Sequence, residues 1–322
     1  MQTKKIHLSA HAVLRRVLFQ VQRFYRTPPV SLPSTPSAGN PPASGRNSPP
    51  DVETSKDKEW TRVKHYGLVG EKLGHSLSEP IHRAIFDMLG IDADYRLIEI
   101  PRADFPREAA ALMDKLDGFN VTIPYKRDVM PLLAGVDDMA QSVGAVNTVD
   151  ARARRGYNTD VPGFEAMLLR AGMDPAGQAC FVLGTGGASL AVCAALRRMG
   201  AARVTRVSRH PAGDDIGYDA LPEQFSGLLV NTTPAGMWPD TSGCPLPQDV
   251  LERVLPRASG VADVIYNPPE TCLTLAAKAR GIPACTGLYM LIRQAVEAER
   301  IWQGRPMPSD LTDILMKELK LL

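Results

Sequence analysis

From about position 65 the chain alternates short apolar runs with longer stretches whose apolar residues recur every three or four positions, the pattern of α/β architecture. Strands are predicted at 66–69, 95–99, 118–122 and 145–149. Between the first two, Ile81, Ile85, Met88 and Leu89 form one stripe of a helix over 79–89, with Ser78 placed as N-cap and Pro80 in the first turn. That is one βαβ step. A helix over 163–170 stops at Gly172, and the run 179–183 then reads as a buried strand opening directly into Gly184-Thr185-Gly186-Gly187-Ala188-Ser189. This restart marks a second unit. Its first helix keeps Val192, Ala195, Leu196 and Met199 on one face, and strands follow at 203–207, 228–231 and 261–265. A crossover helix over 273–279, a long helix over 289–303 and a last amphipathic helix after Ser309 complete the pattern.

The first 50 residues break it. They hold no Asp or Glu but carry Lys4, Lys5, Arg15, Arg16, Arg23, Arg26 and Arg46, and the segment 27–50 is rich in proline and serine. Such a segment sustains neither helix nor central strand, so residues 1–59 are expected to be a disordered leader, with order beginning near Trp60. Two readings stand: an Arg-rich, acid-poor transit peptide, with residues 13–24 suited to a basic amphipathic helix, or a dispensable extension or over-long start.

Composition narrows the rest. Of 322 residues, 44% are hydrophobic and 22% charged, a globular profile, and a net charge of +2 provides no general attraction to nucleic acid or to a membrane surface. No apolar run approaches the about 18 residues of a membrane-spanning helix. Five cysteines with no CxxC spacing argue for reduced thiols, and no ligand-spaced cluster suggests a metal.

Strand, glycine turn and helix in succession place backbone N–H groups at a helix N-terminus, where a pyrophosphate is favoured. Gly184 permits the tight turn and Gly186 a close approach, while Ser189 fills the third small position. The alternative is a glycine turn that only packs strand on helix. At the end of the next strand, where an NAD-binding domain carries an acid for the ribose diol, the chain reads Val207-Ser208-Arg209-His210. Arg209 suits a 2′-phosphate, so NADP is expected, unless the arginine is merely solvated.

Three polar clusters fall at predicted strand ends or loops. Ser76 and Ser78 stand ahead of a helix N-terminus and suit an anion such as a carboxylate, though Ser78 alone reads equally as a cap. Asn120 and Thr122 share a strand face in Asn120-Val121-Thr122-Ile123-Pro124-Tyr125-Lys126, whose lysine is either chemical or solvated. Asn147 and Asp160 close the third cluster, Asp160 doubling as a candidate helix cap before Pro162.

In this order the residues resemble the shikimate dehydrogenase family, from about Tyr66 to the last helix. The matching stretches include the Ser-x-Ser cluster, Asn-Val-Thr-Ile-Pro-Tyr-Lys, Gly144-Ala145-Val146-Asn147-Thr148, Asn158-Thr159-Asp160, the glycine turn, Asn231-Thr232-Thr233-Pro234, Tyr266-Asn267-Pro268 and Gly287-Leu288-Tyr289-Met290. The resemblance implies an α/β fold of two domains. An N-terminal α/β substrate domain (60–162 plus 288–322, the C-terminal helices returning to it) would face a Rossmann-type NADP-binding domain (163–287). It implies reversible NADPH-dependent reduction of 3-dehydroshikimate to shikimate, in the chorismate and aromatic amino acid pathway. Ser76 and Ser78 would hold the substrate carboxylate, Asn120, Thr122, Asn147, Asp160 and Gln294 its hydroxyls, and Tyr266 would close the pocket. Lys126 and Asp160 would be the catalytic pair. Gly184, Thr185, Gly186, Gly187 and Ala188 would take the pyrophosphate, Ser208 and Arg209 the adenosine phosphate, and Val264 and Gly287 would lie near the nicotinamide. Ser-Arg-His stands where the family commonly shows Asn-Arg-Thr.

A ketone accepting hydride develops negative charge on oxygen, which Lys126 as an ammonium would stabilise while relaying a proton, with Asp160 orienting it. The expected partner is the small-molecule substrate, with no nucleic acid and no membrane, in a cytoplasmic monomer or homodimer. Two alternatives remain: a quinate/shikimate dehydrogenase using NAD or NADP, and a non-catalytic nucleotide-binding sensor, against which the retained Lys126 and Asp160 argue.

Overall fold

The computed structural model describes residues 62–74, 76–221 and 225–319. The leader expected over 1–59, and the start expected at Trp60, lie outside the described residues. By contacts, 65–83 and 94–322 form one unit that holds both sheets; the described residues of the other include 84–93, where the Ile91 N–H meets the Phe86 carbonyl at 2.9 Å.

In chain order the elements are β1 (Lys64–Gly70), α1 (Ser78–Leu89), β2 (Ala93–Glu99), α2 (Phe105–Leu112), β3 (Gly118–Val121), β4 (Gly135–Val136), α3 (Asp138–Val143), β5 (Thr148–Asp150), β6 (Arg155–Tyr157) and α4 (Asp160–Arg170). They continue with β7 (Ala179–Leu183), α5 (Gly187–Arg198), β8 (Arg203–Val207), β9 (Gly227–Asn231), α6 (Gln248–Val254), β10 (Ala258–Asp263), α7 (Cys272–Lys278), β11 (Ala284–Thr286), α8 (Leu288–Gln303) and α9 (Leu311–Leu319). The first sheet has the order β2-β1-β3-β5-β6-β4 and is mixed: β1 and β3 are parallel, whereas β5 runs antiparallel to both β3 and β6. The second, β11-β10-β9-β7-β8, is parallel throughout. Its order reverses at β7, and such a switch point opens a crevice beyond the C-terminal strand ends.

The second sheet is buried on both faces, which is why its strands read as unbroken apolar runs. Along β7, Cys180 and Val182 pack with Val192, Ala195 and Leu196 of α5 and Phe164 and Met167 of α4. Their neighbours Phe181 and Leu183 face Val250, Leu251 and Val254 of α6 and Leu273 of α7. A third core joins Val69, Phe119, Val121 and Val149 of the first sheet to Phe105 and Ala109 of α2. The long helix α8 starts after β11 in the second sheet and packs along α4. At its far end Trp302 stacks on Tyr66 with centroids 4.6 Å apart, and its indole N–H donates to the Val149 carbonyl at 2.9 Å.

The structure moves several expected boundaries. Residues 145–147 are not strand. Gly144 ends α3 in the left-handed conformation, and the next three N–H groups go to Ala140, Lys126 and Tyr157, so pairing begins only at Thr148. The strand expected to end at Ile265 stops at Asp263, whose carboxylate takes the Ile265 N–H at 3.0 Å. The helix expected from Gly163 begins at Asp160, and the one expected from Glu79 begins at Ser78. The short elements α2, α3, α6, β4, β6 and β11 carry too few periodic positions to stand out in the sequence.

All five cysteines are free. Burial pushes the Cys180 thiol up to about 11. It pushes the Cys285 thiol up to about 12, with the Asp263 carboxylate adding to the effect. Because the thiolate is the nucleophile, a raised pKa leaves less of it at a given pH. Native protein at pH 8 is therefore expected to alkylate slowly at Cys180 and Cys285 with iodoacetamide, and faster once guanidinium unfolds it, as read by peptide mass spectrometry. Rapid native labelling of Cys180 would contradict this environment. Trp302→Ala removes both the stack and the indole hydrogen bond and should cost about 3 kcal/mol in urea unfolding.

Candidate active site

Lys126 is presented by a turn whose anchor is the residue before it. Tyr125 is fully buried, its ring stacked on Phe105 at 3.9 Å, its hydroxyl donating to the Ile100 carbonyl at 2.5 Å and its N–H to the Thr122 carbonyl. With that side chain fixed inward, the lysine points the other way. Its Nζ donates to Asp160 Oδ2 at 2.6 Å, with only 15% and 10% of the two side chains exposed. Asp160 is the first residue of α4 and does not cap it. Asn158 Oδ1 accepts from the N–H groups of Asp160 and Val161 instead, which leaves the carboxylate available to the lysine.

Asn147 aims that carboxylate. Its Nδ2 donates to Asp160 Oδ1 at 2.9 Å and to Thr159 Oγ1 at 3.0 Å, and its Oδ1 accepts the Thr159 N–H at 2.7 Å. Asn120 is likewise engaged, its Nδ2 donating to Thr148 Oγ1 and to the Asn147 carbonyl, its Oδ1 accepting from the Tyr95 hydroxyl. An amide nitrogen has two hydrogens, so as placed Asn120 and Asn147 have no donor left for a ligand. This narrows the expectation that both meet substrate hydroxyls as donors. Gln294 Nε2 donates to the Leu291 carbonyl at 2.8 Å.

Ser76 and Ser78 adjoin one another: Ser76 Oγ accepts the Ser78 N–H at 3.2 Å and lies 3.1 Å from Ser78 Oγ. Ser78 is thus inside the first turn of α1 and is not its cap, contrary to the expectation. Tyr266 reaches the same place. Burial raises its phenol pKa, and a hydrogen bond from the Leu77 backbone opposes that rise. The backbone behind Tyr266 is set by Asp263, whose oxygens accept from Asn231 Nδ2, Thr271 Oγ1 and the Ile265 N–H.

At the C-terminal end of β7, Gly184 has φ +106°, and a Cβ there would lie 2.9 Å from Thr232 Oγ1, so both the turn and the space require glycine. Gly186 is the N-cap of α5 and supplies no side-chain cap, which leaves N–H groups of the first turn open to an anion. Ser189 fits the third position because its hydroxyl bonds the Gly186 carbonyl at 2.7 Å and is buried. Ser208 and Arg209 follow β8, Ser208 Oγ accepting the His210 N–H and Arg209 exposed. Gly287, the N-cap of α8, lies so close to the Val264 carbonyl that a Cβ would collide with it.

One cavity of about 480 Å³ joins these parts. It is lined by Ser76, Ser78, Asn120, Thr122, Lys126, Asn147, Asp160 and Gln294 and, from the second sheet's side, by Ala188, Val264, Tyr266 and Gly287. Lys126 Cδ would lie 3.7 Å from a Cβ on Gly187. Gly184, Thr185, Gly186, Gly187, Ser208 and Arg209 are not among the lining residues. Lys72, Met237 and Trp238 line the cavity without having been expected. Trp238 follows the Asn231-Thr232-Thr233-Pro234 stretch closely enough to have been a candidate; exposed lysines such as Lys72 carry no such signal. Among the described residues no group of three or more His, Cys, Asp or Glu could hold a metal, and no helix is long and apolar enough to cross a membrane.

A parallel sheet with a glycine turn at its switch point, beside a cavity that holds a lysine–carboxylate pair, fits a dehydrogenase of the α/β, Rossmann-containing class. The family model described as the shikimate dehydrogenase substrate binding domain matches residues 68–149. The chain is 38% identical over 273 residues to the shikimate dehydrogenase (NADP(+)) of Clostridium perfringens strain SM101, covering 80% of this chain and 99% of the relative. Among solved structures it is similar to a chorismate mutase/shikimate 5-dehydrogenase fusion protein from Clostridium acetobutylicum (TM-score 0.76, 36% identity, 80% of this chain and 98% of that one). It is also similar to shikimate 5-dehydrogenase from Thermus thermophilus in complex with NADP(H) and shikimate (TM-score 0.70, 32% identity, 80% and 100%). This chain belongs to the shikimate dehydrogenase family.

Asn147→Leu would strand the Thr159 N–H and take the donor from Asp160 Oδ1. The expected cost is about 2 kcal/mol in thermal unfolding, together with faster hydrogen exchange at the Thr159 amide. An unchanged exchange rate there would show that Asn147 does not hold the turn.

Proposed function

We propose that this chain catalyses the reversible NADPH-dependent reduction of 3-dehydroshikimate to shikimate, a step towards aromatic amino acids. The observation that carries the reading is the Lys126–Asp160 contact inside a cavity that Ala188, Val264 and Gly287 also line. The uncapped first turn of α5 suits a pyrophosphate. After β8 the chain reads Ser208-Arg209-His210, with no carboxylate in that stretch for a ribose diol, and Asp215 accepts from Arg206 at 2.8 Å. Those features fit NADPH, which when bound supplies the hydride. In this reading residues 60–162 with 288–322 form the substrate domain and 163–287 the NADP-binding domain.

Ser76 and Ser78 hold the substrate carboxylate, Tyr266 closes the pocket beside them, and Thr122, Asp160 and Gln294 meet the substrate hydroxyls. Asn120 can offer such a hydroxyl an acceptor, and Asn147 orients Asp160. Gly184 to Ala188 serve the pyrophosphate, Ser208 and Arg209 the adenosine phosphate. Lys126, as an ammonium, hydrogen-bonds the carbonyl oxygen, stabilises the negative charge that develops on it and delivers the proton. In the oxidation direction it takes that proton back. Asp160 keeps the ammonium directed at the substrate, and the shelter of both groups from solvent strengthens their effect.

Dinucleotide reduction is measured with shikimate and with quinate, each with NADP and with NAD. The reading expects the shikimate and NADP combination to dominate; a dominant quinate rate would turn it to the quinate/shikimate alternative, and no reduction in any combination would leave only a sensor. Lys126→Ala should lower turnover by roughly 10² to 10⁴ while leaving the KM for NADP nearly unchanged.

A further inference from the structure

Behind the cavity, Tyr95 of β2 is fully buried, and its hydroxyl donates to Asn120 Oδ1 at 2.8 Å. From there a run of hydrogen bonds continues in one direction. Asn120 Nδ2 donates to Thr148 Oγ1 at 3.0 Å, Thr148 Oγ1 to Asn147 Oδ1 at 3.1 Å, and Asn147 Nδ2 to Asp160 Oδ1 at 2.9 Å. Asn120, Thr148 and Asn147 are all at most 4% exposed, so water cannot readily substitute for a missing partner.

The direction is imposed at both ends. At one end the Thr159 N–H, which can only donate, faces Asn147 Oδ1 and thereby turns Asn147 Nδ2 towards Asp160. At the other end Tyr95 faces Asn120 Oδ1. Burial raises its phenol pKa well above the ordinary value, the Glu299 carboxylate adding to this and a hydrogen bond with Ser78 opposing it. The hydroxyl therefore keeps its proton, and Asn120 Oδ1, 2.8 Å away, is the acceptor it meets. The ring itself is clamped: it stacks on His82 with centroids 4.1 Å apart and planes 7° from parallel, and His82 Nδ1 bonds Glu299 Oε1 at 2.7 Å with both side chains fully buried.

We infer that Tyr95 is a positioning residue for the Lys126–Asp160 pair, anchoring through Asn120 Oδ1 the relay Asn120, Thr148, Asn147 that ends on the Asp160 carboxylate, with His82 and Glu299 holding its ring in register. The inference deepens the proposed reaction and rests on it. Without the hydroxyl, buried Asn120 Oδ1 has no donor, and the amide is held only through Nδ2, by Thr148 Oγ1 at 3.0 Å and the Asn147 carbonyl at 3.2 Å. The amide then shifts to satisfy its oxygen, which loosens its bonds to Thr148 and to the Asn147 carbonyl and so the hold of Asn147 on Asp160. The ring, its stack and the cofactor side are unaffected.

Tyr95→Phe keeps the stack on His82 and removes only the oxygen. The expected result is a fall of about five- to tenfold in kcat/KM for shikimate, the size of one hydrogen bond, with the KM for NADP within about twofold of wild type. A double-mutant cycle separates relay from simple packing: combined with Asn120→Ala, Tyr95→Phe should cost almost nothing further, because the relay is already cut. Wild-type kcat/KM in Tyr95→Phe, or losses that multiply in the double variant, overturns the inference. Wild-type turnover of shikimate is read first. Its absence overturns the proposed reaction and this inference together, whereas wild-type turnover beside an unaffected Tyr95→Phe overturns the inference alone.

Discussion

Lys126 and Asp160 are 34 positions apart in the chain, and the rest of the site is arranged around the 2.6 Å between them. An ion pair withdrawn from water loses hydration that its mutual attraction repays only when the remaining lone pairs and protons are also satisfied. Here Asp160 Oδ1 is met by Asn147 while Oδ2 takes the lysine. The support is an amide and not a second cation, which matters: another positive charge at Asn147 would compete for the same carboxylate and release the ammonium. Neutral donors orient Asp160 without offsetting its charge, so the lysine keeps its partner and two of its three hydrogens remain for other acceptors.

That pair lies on the first sheet's side, whereas the open helix turn and the Val264 and Gly287 backbones belong to the second. Two features span the interval within the large unit. Tyr266 extends from beyond β10 to the Leu77 backbone, between the two serines. Helix α8 begins at Gly287 against Val264 and ends with Trp302 bonded to Val149, passing Gln294 along the cavity on the way. One helix thus contributes to both sides, held at one end by the close approach of Gly287 to Val264 and at the other by the Trp302 hydrogen bond.

What the sequence discloses and what it hides follow from the range of the forces involved. β7 and its glycine turn were legible because a doubly covered parallel strand must be apolar throughout and because Gly184 occupies a conformation that other residues resist. Lys126 and Asp160 stood out only as members of ordered motifs. The hydrogen bonds that use up the donors of Asn120 and Asn147 were not legible, since they depend on β3, β5 and the turn before α4 meeting in space. The same holds for Ser78, which looks like a cap until the helix is found to start one residue earlier, with Ser76 accepting its N–H. Tyr95 gave no signal at all: a tyrosine in a strand is ordinary, and its significance lies in what its hydroxyl faces.

The charge balance of the cavity bears on how the proposed substrate is held. Its charged lining residues are Lys72, Lys126 and Asp160, and the last two neutralise one another locally. Ser76 and Ser78 would therefore meet a carboxylate mainly with hydroxyl dipoles, leaving Lys72 as the lining cation outside the pair. Neutral recognition is weaker per contact than an arginine clamp. It has a compensating merit for this chemistry. A strong fixed cation at the carboxylate would stabilise ground and transition states alike, since that charge does not change during hydride transfer. The carbonyl oxygen is where charge appears, and Lys126 is the cation set to meet it. Placing the ammonium there, and meeting the carboxylate through hydroxyl groups, directs the electrostatic contribution to the step that needs it.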